Sequence, residues 1–441
     1  MEDLLRKYSQ EQVDDWMLNP TFSDESLLVQ PVPIELGEED DALWAEIQGD
    51  GDFLVFKSKS GLGVTGQAML AAKDIMKLET FYEMHGGSEW PAMLILLAEC
   101  HFLLNDTRGA RIKAAEAQTV VGVGQDKILD QCVDYLRVLE YREIHYQDEF
   151  DDDGADIIIR YTKPQAFSTK ASPSKLIDVR KLWTSLKQLN GGCEQFMQTN
   201  VIEGVFDIVH GSTMKLALEG FSVESIEGIS DESHIKEKDK ILQVLEDALQ
   251  CYNAVKFDRV DFTEKGVKMM HASLMKENKL EMATSGDGEI YPVYTPTGLY
   301  RCSSGFTTQV NSDDTLTEIQ YCPPAKLEED MEWYFREAKK LLSGVESSND
   351  PFRAAAWIQW AFVRIHPFAD GNGRMCRLLS SIPLVLNDLP PVHVSATSKS
   401  LYFQALTKAD QDGDIYDLAR FLQDEAVLGL GQLLQANDAN I

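Results

Sequence analysis

The stretch Ile365-His-Pro-Phe-Ala-Asp-Gly-Asn-Gly-Arg-Met-Cys-Arg377 constrains this chain more than any other. Upstream, Pro351–Arg364 carries a proline suited to a first helical turn, then apolar Ala354, Ile358, Ala361 and Phe362 at helical spacing. Downstream, Arg374–Leu386 has the composition of a second helix, with an interruption expected at Pro383. Between the two, Gly371 and Gly373 flank Asn372 in what must be a tight polar turn. A helix–turn–helix of this kind brings polar groups to one point.

The residue types at that point suggest chemistry. The glycine turn can aim consecutive backbone N–H groups at one spot, and the following helix adds its positive N-terminal end, which together suit a phosphate. Arg374 and Arg377, three apart, share a helix face beside it. Asp370 supplies a carboxylate of the kind Mg²⁺ prefers, because that ion takes few protein ligands plus phosphate oxygens. His366 is the neighbour able to accept a proton near neutral pH. Each residue alone has a bland explanation, and the other seven histidines (His85, His101, His145, His210, His234, His271, His393) are read as structural. The conjunction within twelve residues points to nucleotidyl or phosphoryl transfer.

Length and charge set the frame. A chain of 441 residues suggests two or three domains. The formal charge is −31 (41 basic against 72 acidic residues), with a pI of about 4.6. A general nucleic-acid binder or an anionic-membrane binder is therefore not expected, since the summed field repels both. The longest apolar run, Pro91–Ala98, is far too short for a membrane span. The start, Met1-Glu-Asp-Leu-Leu-Arg6, lacks the basic and then apolar pattern of a secretory leader. Seven scattered cysteines without a CxxC pair fit reduced thiols, so the expected location is cytoplasmic or nuclear.

The remaining organisation reads as mainly α. Residues 1–65 are irregular and acidic, with a short strand expected at Phe53–Phe56. From Ala68 to Ile144 the pattern is helical. Within it Leu94, Leu97 and Ala98 are followed by Ala110, Ala114 and Ala117, so that two helices can pack closely. That pair, over 88–121, fits either a tetratricopeptide-like unit or an ordinary helical hairpin. Gln147–Gly154 reads as a solvated turn or linker, with a hairpin to Ile157–Tyr161 as one option. An N-terminal region, 1–165, and a second domain, 182–430, are expected. Tyr291–Tyr321, rich in Thr, Ser, Gly and Tyr, reads as β-hairpin or loop.

The stretch His366–Arg377 resembles the Fic-family motif HPFx(D/E)GNGRxxR at every fixed position. The resemblance implies a Fic-type helical core with a β-hairpin flap, and transfer of AMP from ATP to a Ser, Thr or Tyr hydroxyl of a protein. It implies that His366 takes the hydroxyl proton and that Asp370 holds Mg²⁺. Gly371, Asn372 and Gly373 would cradle the phosphates, and Arg374 and Arg377 would contact them. Phe368 is expected to anchor the loop in the core. Gly298–Arg301, Thr307-Thr308-Gln309-Val310 and Tyr321–Pro324 resemble the family's flap, which pairs with the target by strand addition. Tyr402, Leu406 and Gly413-Asp414, ahead of Leu418–Leu422, resemble the region that contacts adenosine. Two departures stand out: Gln359 lies where many relatives have His, and Asp410 where a relative's Asn touches the nucleotide.

Fic proteins are often held off by a helix reading (S/T)xxxE(G/N), and Thr199-Asn-Val-Ile-Glu203-Gly204 fits it. The expectation is an inhibitory helix near 190–204 whose Glu203 pairs with Arg377 and blocks productive ATP binding. Position 205 is Val where relatives often have Asn. The same resemblance leaves two alternatives. Glu203 could align a water that removes AMP from a modified protein, or the chain could be a helical interaction protein with a dormant site. It also suggests a homodimer as a partner besides the protein target.

Overall fold

The computed structural model describes residues 1–18, 20–23, 27, 64–85, 89–145, 155–168, 176–186, 205–208, 216, 222–231, 233, 235–256, 262–284, 288–310, 315–344 and 349–439. It is mainly α-helical with two small sheets. The chain forms two compact units, Met1–Glu149 with Lys279–Pro296, and Phe150–Asn278 with Thr297–Ile441. The expected strand at Phe53–Phe56, the turn at 147–154 and the inhibitory motif at 199–204 lie outside the described residues.

The first unit begins with α1 (Glu2–Lys7), α2 (Gln10–Leu18), α3 (Val64–His85), α4 (Pro91–Leu103), α5 (Thr107–Val121) and α6 (Lys127–His145). Pro91 opens α4 where its missing N–H costs nothing, and the Asp106 carboxylate caps α5 by accepting the Gly109 N–H at 2.9 Å. Helix α4 is apolar nearly all round, so it serves two cores. One gathers Leu97 with Ile75, Leu78 and Phe81 of α3. The other gathers Leu94 and Ala98 with Ala110, Ala114 and Ala117 of α5 and Leu129, Val133 and Leu136 of α6. The alanine spacing predicted close helix packing, and all four alanines are fully buried.

The second unit opens with β1 (Ile157–Ile159), α7 (Leu176–Leu186), α8 (Lys238–Lys256) and α9 (Glu264–Leu274). The chain then contributes an antiparallel hairpin, β2 (Leu280–Thr284) and β3 (Ile290–Tyr294), to the first unit. There the Tyr294 hydroxyl donates to Glu79 at 2.5 Å, Lys279 Nζ donates to the same carboxylate at 2.8 Å, and the Tyr294 N–H donates to the Leu104 carbonyl at 2.8 Å. Tyr291 and Tyr294 therefore belong to this hairpin and not to the flap, because the α3 core offers their rings burial.

The flap is β4 (Phe306–Val310) with β5 (Leu316–Gln320), paired antiparallel from Phe306 opposite Gln320 to Val310 opposite Leu316. Strand β1 lies parallel to β5, with Ile157 opposite Thr317, instead of forming the expected hairpin with its own upstream turn. Within this three-stranded sheet the order β1-β5-β4 leaves β4 at an edge. Helices α10 (Leu327–Ser343), α11 (Pro351–Ile365), α12 (Asn372–Leu386), α13 (Lys399–Asp412) and α14 (Tyr416–Ala439) complete the unit.

Helix α11 is its axis. Nearly every residue from Pro351 to Ile365 is buried, and Trp357, Phe362 and Ile365 share a core with Tyr334 of α10, Leu379 of α12 and Leu418 of α14. Asp350 caps it, its carboxylate accepting the Arg353 N–H at 3.1 Å. Helix α12 runs through Pro383 to Leu386 instead of breaking there. A proline forfeits one helical hydrogen bond, and burial of Ile382 and Leu384 on either side offsets that loss.

Candidate active site

The site is the turn between α11 and α12. His366 ends α11 in the left-handed region (φ 54°, ψ 62°), a conformation that costs a non-glycine residue about 1–3 kcal/mol and persists only where its surroundings enforce it. Four contacts do so. The His366 N–H donates to Phe362 at 2.8 Å, and its carbonyl accepts Arg301 Nε at 2.7 Å. The Arg301 N–H donates to the Pro367 carbonyl at 2.9 Å. Tyr321, at the base of the flap, stacks on the imidazole with ring centroids 3.7 Å apart.

The side-chain chemistry of His366 follows. Its Nδ1 lies 3.2 Å from the Val363 carbonyl, which can only accept, so Nδ1 carries the hydrogen and Nε2 keeps a lone pair. Burial first, and the Arg301 cation second, push its pKa down to about 3. The imidazole is thus a neutral acceptor at physiological pH.

The rest of the turn is held by groups from elsewhere in the second unit. Asn372 is buried, and its amide closes on one residue: Oδ1 accepts the Phe368 N–H at 3.0 Å and Nδ2 donates to the Phe368 carbonyl at 2.8 Å. Its side chain therefore shapes the loop, and its backbone N–H stays with the helix end. Phe368 is fully buried and stacks on His271 of α9, ring centroids 3.7 Å apart. His271 Nδ1 accepts the Gly298 N–H at 2.8 Å, which leaves Nε2–H to donate to the Asp370 carbonyl at 3.0 Å. Burial pushes its pKa down to about 4, so the ring stays neutral and keeps both bonds.

Gly371 sits at φ 76°, where a Cβ would stand 2.7 Å from Met275 Sδ and 3.2 Å from His271 Nε2. It is the N-cap of α12, so Asn372, Gly373 and Arg374 occupy the first turn, whose N–H groups have no intrahelical acceptor. Arg374 is 1% exposed. Its Nη2 donates to Asp370 Oδ2 at 3.0 Å and contacts Met275 Sδ at 2.8 Å. Its Nε and Nη1 are buried with no hydrogen-bond partner among the described residues. Buried donors left unmet cost roughly 1–3 kcal/mol each, so an anion that meets them is favoured at this turn.

Asp370 also accepts from Asn278 Nδ2 at 3.4 Å, and its side chain is 32% exposed. One such carboxylate beside a phosphate cradle fits Mg²⁺, which completes its shell with water and phosphate oxygens. Among the described residues, no three His, Cys, Asp or Glu gather into a larger metal cage.

Arg377 is buried, with its guanidinium 6.0 Å from the centre of the Tyr402 ring. Tyr402 on α13 is itself 1% exposed, and its hydroxyl accepts Gln359 Nε2 at 2.6 Å. The departure at Gln359 is thus paired with a residue of the adenosine-like region. The departure at Asp410 turns the other way: its carboxylate accepts Trp360 Nε1 at 2.8 Å and lies 3.6 Å from Arg364 Nε. On the flap, Thr307 is half-buried and Thr308 exposed on β4, the strand that also carries Gln309 and Val310. Glu203 is outside the described residues.

The structure brings His366, Asp370, Gly371, Asn372, Gly373, Arg374 and Arg377 together. It adds residues that motif reading does not single out: His271, Met275 and Asn278 on and after α9, and the Arg301 side chain. His271 lies 99 residues before the carbonyl it holds, so no local spacing could have marked it.

The Fic/DOC family model matches residues 261–384. Among curated proteins, the chain is 40% identical over 84 residues to Protein adenylyltransferase Fic of Drosophila persimilis, covering 19% of this chain and 16% of that protein. It is 25% identical over 248 residues to Protein adenylyltransferase Fic of Drosophila melanogaster, covering 56% of this chain and 44% of that protein. The chain thus spans less than half the length of these curated relatives. Among solved structures, Fic-1 from C. elegans aligns at 16% identity with a TM-score of 0.42, covering 91% of this chain and 98% of that one. A Fic domain containing signaling protein from Bacteroides thetaiotaomicron aligns at 19% identity and 0.42, covering 60% and 97%. Over residues 261–384 this chain is similar to the Fic/DOC family.

Proposed function

We propose that this protein is an adenylyltransferase that moves AMP from ATP to a Ser, Thr or Tyr hydroxyl of a target protein. The observation that carries the reading is Arg374, buried in the first turn of α12 with two guanidinium N–H groups unmet beside His366's loop. That is a polyphosphate site with a neutral base next to it.

The residues then have separate tasks. The first-turn N–H groups of α12, with Arg374 and Arg377, bind the phosphates and orient the α-phosphorus. His366 Nε2 takes the proton of the target hydroxyl as its oxygen forms a bond to that phosphorus and the bond to the departing pyrophosphate breaks. Asp370 would hold Mg²⁺, which when bound supplies positive charge against the phosphate oxygens. The outer edge of β4 in the described sheet, at Thr307–Val310, would receive the target backbone as an added strand. Tyr402 would line the nucleoside side through its contact with Arg377.

Glu203 is proposed as a brake, on the strength of its motif alone. A carboxylate paired with Arg377 would take that cation from the nucleotide, and breaking a buried pair on one side costs roughly 3–5 kcal/mol. The test is mass spectrometry of Glu203→Gly protein after exposure to ATP and Mg²⁺. An added AMP, at higher occupancy than in wild type and absent when His366→Ala is introduced, is expected. No added AMP in Glu203→Gly would overturn the transfer reading, and labelling no higher than wild type would remove the brake.

A further inference from the structure

One of the cations that hold the His366 turn has no role assigned in the transfer step. Arg301 lies just before the flap, is 5% exposed, and spends its guanidinium on backbone carbonyls: His366 at 2.7 Å, Ser303 at 2.6 Å, Ile365 at 3.4 Å and Cys322. Its own N–H holds the Pro367 carbonyl. Among the described residues it makes no bond to a carboxylate. An arginine buried without a counter-ion is expensive, and burial lowers its pKa, to about 10, yet leaves it charged at neutral pH.

We infer that Arg301 is the positioning residue for His366, fixing the left-handed turn from both sides and with it the tautomer that leaves Nε2 free to accept. The inference rests on the reading of His366 as the proton acceptor. Its geometry is specific. The three consecutive carbonyls of Ile365, His366 and Pro367 all point at one residue, so the turn cannot relax toward a helical or extended conformation without breaking several bonds. The same guanidinium reaches Ser303 and Cys322, which bracket the flap, so one side chain ties the flap base to the turn that carries the imidazole. Nδ1–H can reach the Val363 carbonyl only while the turn holds the ring there. The groups facing the ring are Tyr321 from the flap base, Arg301, and Asp370 from the loop. Lysine keeps the charge but cannot present a planar fork to several carbonyls.

The test uses full-length protein in the Glu203→Gly background, with Arg301→Lys and Arg301→Met. Long-range ¹⁵N–¹H spectra of the imidazoles at neutral pH, with the His366 signals assigned by their loss in His366→Ala, report the tautomer without substrate. The single Nδ1–H form is expected in the parent and a mixture of tautomers in both variants. The rate of AMP transfer at saturating ATP should fall about 100-fold in Arg301→Lys, with KM for ATP changed less than about twofold. An unaltered tautomer in both variants overturns the inference even if activity falls, because the role would then be structural only. A parent-like rate in both does so as well. Transfer persisting in His366→Ala would sink the acceptor reading instead, and with it any catalytic meaning of Arg301, whatever the spectra show.

Discussion

At the scale of single residues, the site works by excluding alternatives. Gly371 combines a positive φ with sulfur and imidazole packed where a Cβ would go. Gly371→Ala should therefore cost about 1–2 kcal/mol in unfolding free energy from the left-handed backbone alone. It should also lower AMP transfer more than tenfold by displacing Met275 from Arg374. Denaturant unfolding and labelling check both; full labelling with stability within about 0.5 kcal/mol of wild type would contradict the tight loop. What was legible here was local. His366, Asp370, the glycines and both arginines are compressed into twelve residues, and their types suffice to suggest a phosphate site. The Asn372 amide could be read as a ligand contact from sequence, but it closes on Phe368, because a side chain at the first helical position meets the loop's own peptide first. His271 and Arg301 act through distant carbonyls, and a carbonyl has no residue type to betray it.

At the scale of elements, the question is what holds α11 against the flap sheet. Arg364 does so from one side: Nη1 donates to the Gln320 carbonyl of β5 at 2.5 Å and Nη2 to the Arg160 carbonyl just past β1 at 2.6 Å, while Asp410 of α13 sits 3.6 Å from Nε. Burial raises the Asp410 pKa to about 6 although Arg364 opposes it. Arg364→Met removes the cation and strands that acid, so it should destabilise by roughly 3–5 kcal/mol. The loss should be larger at pH 8, where burying the ionised acid is costly, than at pH 5, where it can protonate. Adding Asp410→Asn should recover much of it. Chemical unfolding of the single and double variants at both pH values decides; an equal loss at pH 5 and 8 would show that Asp410 is not the stranded group. The helices were legible because α11 and its caps follow a 3.6-residue pattern. The strands were less so. Residues 157–159 read as half of a local hairpin, yet they pair parallel with a strand far along the chain, and β2 leaves its neighbours because the α3 core buries Tyr294. Short strands carry too few residues for pattern to outweigh such tertiary demands.

At the scale of the whole molecule, composition narrowed the partners without showing how the fold responds to pH, and the buried histidines supply that answer. The second unit keeps His271, His366 and His393 neutral by burial, with pKa values pushed down to about 4, to about 3, and below the ordinary 6.5 respectively. His393 Nε2 is buried with no hydrogen-bond partner among the described residues, so protonation there finds no acceptor. A lowered histidine pKa means that the unfolded chain binds the extra proton first. Stability is then fully present above pH 6.5 and drains away as pH falls toward the folded-state values, on the order of 1 kcal/mol per pH unit for each histidine. Two acids work against this. Asp410, raised to about 6, and Asp247, raised by burial, hold protons in the folded state that the unfolded chain releases above about 4, so each adds stability as pH falls through its own raised value. Three histidines against two acids, one of them beginning only near pH 6, leave a net loss. Unfolding free energy of the second unit should therefore fall from pH 6.5 to 4. His393→Gln, remote from the His366 loop in sequence, should flatten that limb. Denaturant titrations across the range measure the slope directly. A limb that is flat, or that rises toward pH 4, would mean that the unfolded chain binds no more protons than the folded one and that these imidazoles are not buried neutral.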